Sequence, residues 1–284
     1  MMAVAQRPVW QHWGMLARWG FPVVAAALVG CTTTTTTTTS STSVPQASVV
    51  GTTAQPTVAD ANRRAQIRLE LAANYYQAGR MDVAMEEVGQ ALAAKPDYAD
   101  AYGLLGLILM QNQDWGQADV AMRKAIDLNP RDGNQIHNYG WMLCQQKNFD
   151  AAQQWLDKAL AAPGYREQPK TLLAKGMCYQ QAGQLDRAQE SMFRAYEMDL
   201  SNAAAGYNLA NVLWLQGDLK KAQFYIKRLN NNSNQSSAES LWLGIKIDRA
   251  LHEDVGVRQQ ANQLRDRFPQ SRQWLAYERG AFNE

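Results

Sequence analysis

Small residues recur along this 284-residue chain at a nearly fixed step: Ala72, Gly106, Gly140, Gly176, Ala210 and Gly244, separated by 34, 34, 36, 34 and 34 positions. A second series, Ala84, Ala118, Ala152, Ala188 and Ala222, runs in phase with it, as do Ala91, Ala125, Ala159, Ala195 and finally Leu229. Between these two series stands a larger apolar residue: Val88, Met122, Leu156, Met192 or Ile226. The resulting i, i+4, i+7 spacing marks one face of an α-helix. The first small residue fits a point where two helices cross, because a bulky side chain there would hold the backbones apart and open a void. Turn formers separate the two helices of a unit, as in Gly79, Arg80, Met81, Asp82, in Gly183, Gln184, Leu185, Asp186 and in Gly217, Asp218, Leu219. Glycine serves as the stop signal and aspartate as the next start. Pro96 and Pro130 close the first two units, since proline cannot continue a helix.

A period of 34 is the length of one tetratricopeptide unit, two antiparallel helices joined by a tight turn, and the chain resembles that family across about residues 65–269. The resemblance implies an all-α fold: a right-handed superhelical solenoid of about six helical hairpins with a C-terminal capping helix. The repeats fall at 65–98, 99–132, 133–168, 169–202, 203–236 and 237–270, within a repeat domain at 61–284. In the sixth, Gly244 keeps its place, but the second helix is expected to keep phase only with one residue added after Leu251. The cap is expected at 271–282, with Trp274, Leu275 and Tyr277 on one side and Arg272, Glu278 and Arg279 on the other.

Ahead of the repeats, Arg7 and Arg18 precede an apolar stretch, Phe21 to Gly30, too short to span a bilayer as a mature helix but suited to a signal peptide. Its end, Leu28, Val29, Gly30, Cys31, resembles the bacterial lipobox. That resemblance implies a leader at 1–30, cleavage before Cys31, and lipid on Cys31 as the sole covalent group, with no other cofactor. Thr32 after the cysteine, in place of Asp, resembles the pattern that sends enterobacterial lipoproteins to the outer membrane, with the repeats in the periplasm. Thr32 to Thr39 and the Ser, Thr, Pro, Ala and Gln that follow to about Asp60 show no apolar period, so 31–60 reads as a disordered tether. Its root-mean-square reach is roughly 30 Å.

Apolar residues make up 46% of the chain and charged ones 19%, ample for a helical core. The 28 basic and 26 acidic side chains become balanced once Arg7 and Arg18 leave with the leader. No basic stripe or phosphate-cradling glycine loop is present, so nucleic acid is not expected as a partner. His137 and His252 are lone histidines, no metal-ligand or nucleophile motif occurs, and the expectation is a non-enzymatic protein without a metal. Cys144 and Cys178 stand at positions 12 and 10 of adjacent units; because these positions are unmatched, buried free thiols are expected in preference to a disulfide, which stays open as the alternative in an oxidising compartment.

In tetratricopeptide solenoids the first helices line the concave face, so the resemblance places Leu69, Ala73 and Tyr76, then Gly103, Leu104, Leu107 and Met110, then His137, Asn138, Trp141 and Cys144 on a partner-binding groove. Lys170, Leu173, Met177 and Gln180 follow, then Tyr207, Asn208, Asn211 and Trp214. The candidate contacts are Leu69, Tyr76, Leu107, Met110, His137, Asn138, Trp141, Met177, Tyr207, Asn211 and Trp214, a mixture of aromatics, methionines and amides suited to a polypeptide. The lysine and asparagine clamp of chaperone-tail receptors is absent.

The third unit carries a narrower resemblance. His137, Asn138, Tyr139, Gly140, Trp141, Met142, Leu143, Cys144, Gln145, Gln146, followed by Phe149, Asp150, Ala151 and Ala152, is similar to a segment of the type IV pilus biogenesis and stability lipoproteins, or pilotins. Ser240, Leu241, Trp242, Leu243, Gly244, Ile245, Lys246 and, further on, Leu264, Phe268, Pro269 and Ser271 are similar to that family's C-terminal pattern. This implies a monomeric outer-membrane lipoprotein that binds the type IV pilus secretin subunit and promotes its localisation and ring assembly. The alternative is a general periplasmic scaffold recruiting cell-wall or outer-membrane assembly factors through the same groove.

Overall fold

A computed structural model describes residues 57–283; the expected leader, the lipidated Cys31 and nearly all of the tether lie outside the described residues. Among the described residues the chain forms thirteen helices and no strand. The first helices of the hairpins are α1 (Val58–Gln77), α3 (Ala99–Gln111), α5 (Gly133–Gln145), α7 (Gln168–Gln181), α9 (Ala203–Leu215) and α11 (Ala238–Ala250). The second helices are α2 (Met81–Ala94), α4 (Trp115–Leu128), α6 (Phe149–Leu160), α8 (Leu185–Met198), α10 (Leu219–Asn230) and α12 (Asp254–Arg267), and α13 (Arg272–Glu278) closes the stack.

Order begins earlier than the composition suggests. Residues 58–60, assigned to the tether on sequence, already belong to α1. Thr57 and Asp60 form a reciprocal cap there: Asp60 N–H donates to Thr57 Oγ1 at 3.2 Å, and Thr57 N–H donates to the Asp60 carboxylate at 3.0 Å. Asp132, Asn202 and Ser271 cap α5, α9 and α13 in the simpler one-way manner.

The small residues sit at the crossings. A Cβ added at Gly140 would lie 3.0 Å from Leu156 Cγ, and one at Gly176 would lie 2.6 Å from Met192 Cγ. The buried Ala84, Ala118, Ala152, Ala188 and Ala222 let the same helices close along their length. Each first-to-second turn also passes through one left-handed residue. Gly79, Gly183 and Gly217 supply it in three units, but Gln113, Lys147 and His252 do so in the others, at φ of 63°, 62° and 59°. Those three carry the steric cost that glycine avoids.

The sixth hairpin needs no added residue. Gln260 faces Gly244 from the same distance along the chain as Met192 faces Gly176, so phase is kept and chemistry changes instead. Gln260 is 5% exposed and donates from Nε2 to the fully buried Asp248 at 2.7 Å. Gln223 Nε2 also reaches Asp248 at 2.6 Å, and Lys227 Nζ lies 3.3 Å from it. The cap differs too: α13 ends at Glu278, short of the expected Phe282, and the chain turns back at Gly280. Phe282 then stacks on Trp242 at 5.4 Å, and Ala276 is the residue buried in place of the exposed Leu275.

Candidate functional site

The backbones of successive first helices come close to one another, α1 with α3, α3 with α5, and on through α11, whereas among the described residues no two second helices bring their backbones as near, although side chains of α10 and α12 meet where Asn230 Nδ2 donates to Gln260 Oε1 at 2.7 Å. Hairpins that converge at their first helices and diverge at their second ones make a curved stack, with the first helices on its inner side.

All of the candidate groove residues lie on those first helices. Leu69 and Tyr76 are half-buried on α1, beside the core of Ala72, Ala84 and Val88. Leu107 and Met110 of α3 and Trp141 of α5 pack with one edge against Met122, Tyr139 and Met142. Met177 of α7 and Tyr207 and Trp214 of α9 do the same against Leu209, Leu213 and Ile226, while Asn138 and Asn211 are half-buried amides. Burial pushes the Tyr76 and Tyr207 hydroxyls above their ordinary pKa. These side chains divide their surface between the neighbouring hairpin and solvent, so each serves stacking as well as any groove.

Four inward positions do not face solvent. Gly103 is covered by the Gln135 side chain, and Leu173 and Cys144 are buried. His137 is 4% exposed, so it is not an open groove residue. Its Nδ1 lies 2.8 Å from Thr171 Oγ1, which in turn lies 2.7 Å from the Tyr165 hydroxyl. The Thr171 hydroxyl, which can both donate and accept, thus bridges the imidazole and the phenol in one buried chain. Burial, aided by the charge of Lys170, pushes His137 down to about 3 and keeps it neutral. Tyr165 arrives through the loop between α6 and α7, where the 36-residue step of the repeat ticks places two additional residues, and its ring lies over Gly133. Asn208, also counted as inward, donates to the Ala204 carbonyl of its own helix at 2.8 Å.

Cys144 and Cys178 form a disulfide with Cα atoms 5.7 Å apart, against the expectation of free thiols. The physical reason is a stagger. Neighbouring first helices stack two positions out of register, so that His137 meets Thr171, Gln135 covers Gly103, and Cys144 meets Cys178. Unmatched positions are therefore the ones that touch. No sequence signal showed the His137–Thr171–Tyr165 chain or the Asp248 cluster, since both depend on this stacking. Among the described residues no helix is long and apolar enough to cross a membrane.

Known proteins resemble this chain in sequence and in fold. The tetratricopeptide repeat family model matches residues 69–133 and 173–226. The type IV pilus assembly protein PilF of Pseudomonas aeruginosa is 25% identical over 77% of this chain and 86% of its own. An uncharacterised protein of Haemophilus influenzae is 30% identical over 48% of this chain and 75% of its own. Among solved structures, PilW, described as a widely conserved type IV pilus biogenesis factor, superposes with a TM-score of 0.68 at 27% identity, covering 76% of this chain and 99% of that one. The P. aeruginosa PilF structure gives 0.65 at 22% identity over 78% and 99%, a likeness of fold. A 34-residue helical-hairpin period, small residues at every crossing and this relationship in sequence and structure make the chain a tetratricopeptide-repeat protein related to the type IV pilus assembly proteins PilF and PilW.

Proposed function

We propose that this protein acts in type IV pilus assembly as a non-enzymatic lipoprotein of the outer membrane, anchored through Cys31, with its repeats in the periplasm. Its inner face binds the secretin subunit of the pilus pore and promotes that subunit's delivery to the outer membrane and its multimerisation. The observation that carries the reading is the relationship to PilF and PilW across nearly the full length of those chains. The inner face supports it physically: half-buried Trp141, Trp214, Tyr207, Met110 and Met177 offer apolar area at low entropic cost, and Asn138 and Asn211 offer amides to a peptide backbone. Lipid on Cys31 gives the bound subunit the anchor's address and raises its local concentration.

Deleting the gene and measuring secretin multimers in outer-membrane fractions tests the proposal, with complementation by wild type, Cys31→Ala, and Trp141→Ala combined with Trp214→Ala. Expected is loss of multimers on deletion, mislocalised subunit with Cys31→Ala, and at least about tenfold weaker secretin binding for the double tryptophan variant. Secretin multimers at normal abundance in the deletion strain would overturn it.

A further inference from the structure

Each first helix of the stack buries a row of side chains against the hairpin before it, and among the described residues α1 has no hairpin before it. Five positions ahead of the crossing, α3, α5, α7 and α9 carry the buried Ala101, Gln135, Thr171 and Ala205, whereas α1 carries Ile67, 48% exposed. One position ahead of it, α5, α9 and α11 carry the buried Tyr139, Leu209 and Leu243, whereas α1 carries Leu71, 37% exposed. Three positions beyond it, where other first helices bury Leu109, Leu143, Leu213 and Ile247, α1 has the half-buried Tyr75. Ile67, Leu71 and Tyr75 stand at i, i+4 and i+8 and so form one apolar stripe.

The two ends of the stack are therefore unlike. At the far end α13 packs on α11 and α12, and Phe282 stacks on Trp242 at 5.4 Å. A terminal unit of a solenoid needs a polar outer face, and α1 presents isoleucine and leucine instead.

We infer that residues 44–50 of this same chain fold back along α1, cover the stripe and cap the open end. Length permits it. Ile67 lies nine residues into α1 from Val58, about 14 Å at the helical rise, while the eight steps from Val58 back to Val50 reach roughly 26 Å when extended. Val44, six residues further, reaches Leu71 and Tyr75 in the same way, and Gly51 provides a residue that turns freely. Composition permits it too. Residues 32–56 contain no charged side chain, so laying them on an apolar surface strands no charge, and their three larger aliphatic residues, Val44, Val49 and Val50, all fall inside this segment. Being joined to α1 by a short link, the segment competes at high effective concentration with any other occupant. Residues 31–43 are left as the tether, which shortens its root-mean-square reach to roughly 20 Å. Ile67, Leu71 and Tyr75 are not among the inner-face contacts assigned to the secretin subunit, so the cap and that groove are independent.

Crosslinking in the full chain tests the inference. Val49→Cys combined with Ile67→Cys should form an intramolecular disulfide in air, read by mass spectrometry of unreduced proteolytic peptides, because Cys144 and Cys178 are already paired. Thr36→Cys with Ile67→Cys is the control and should link at least about fivefold less. Hydrogen exchange supplies a second measurement without new thiols. Val49→Asp with Val50→Asp should speed exchange of the α1 amides about fivefold, the effect of uncovering part of one aliphatic side chain, and should add nothing once Ile67 is Gln. Ile67 is exposed in the stack itself, so Ile67→Gln leaves the hairpins packed. Equal crosslinking of the control pair, a link between two copies in place of one within a copy, or exchange in α1 unmoved by the aspartates would overturn the inference.

Discussion

Beneath Gly176 the second helix of its hairpin presents Met192, and beneath Gly244 the corresponding helix presents Gln260 at the same sequence step. The fourth hairpin thus closes on a thioether stem within a cluster of Leu172, Leu173, Ala188 and Ala195. The sixth closes on a carboxamide, and around it lie a buried carboxylate, Asp248, and a buried amide, Asn230, which donates to Gln260 Oε1 at 2.7 Å. Both crossings need a residue without a side chain opposite, so geometry fixes the glycine but leaves its partner free. An apolar crossing is held by area and tolerates any residue of similar volume, as Leu156, Met122 and Ile226 show in sister units. A polar one is held by pairing and tolerates almost nothing, because each member satisfies another.

The contrast can be broken most strongly in the apolar half. Replacing Cys144 and Cys178 by serine, or reducing them, should cost about 3 to 4 kcal/mol in denaturant melts, by the loop-entropy account of a crosslink, and should leave the sixth hairpin's own unfolding little changed. Leu156→Ala should cost about 3 kcal/mol through loss of buried area and the cavity left behind, measured in the same way. In the sixth hairpin Gln260→Met, the residue found at two sister crossings, should destabilise by about 1 to 3 kcal/mol, because Asp248 and Asn230 each lose a partner. Adding Asp248→Ala should recover part of that loss, since removing both partners of a buried pair is less harmful than removing one; strict additivity of the two changes would show that the polar crossing is not a unit.

Acid separates the two regions by pH window. Hydrogen bonds from Lys227, Lys220 and Gln223 pull the Glu253 carboxyl, at the start of α12, down to about 2 from 4.5. A carboxyl depressed on folding stabilises above its unfolded pKa, so this contribution is complete above about 4.5 and is lost as pH falls toward 2. His137 is also depressed, from 6.5 to about 3, so the unfolded chain takes up its proton first and stability at the third hairpin declines as pH falls from 6.5 toward 3. Melts followed by hydrogen exchange should show loss near α5 beginning at the higher pH and loss near α12 at the lower one. His137→Gln should remove the first decline and spare the second. The smallest expected effect is at the turns: Lys147→Gly and His252→Gly should each stabilise by about 0.5 to 1 kcal/mol, in different halves, by relieving a left-handed backbone.

Local chemistry made the period, the helix-to-helix crossings and most turns legible in the sequence. Ala72, Gly106, Gly140 and Gly176 announce themselves because close approach excludes every larger side chain, whatever surrounds it. The candidate inner face was legible only in part. Helical phase assigns a residue to a helix and a face, so Trp141, Tyr207 and Trp214 could be placed on first helices, but it says nothing of how far the next hairpin slides over that face. The two-position stagger buries His137 under Thr171 and Tyr165 and brings Cys144 to Cys178, and it arises from the packing of two helices distant in sequence. Likewise Gln260 reads as a departure from the repeat until Asp248, Asn230 and Gln223 are seen to converge on one another. By itself the sequence determined a stack of helical hairpins, since periodicity and excluded volume act over a single unit. Only the tertiary structure decided which polar residues are paired and which cysteines meet, because those depend on the offset between units, which no single unit encodes.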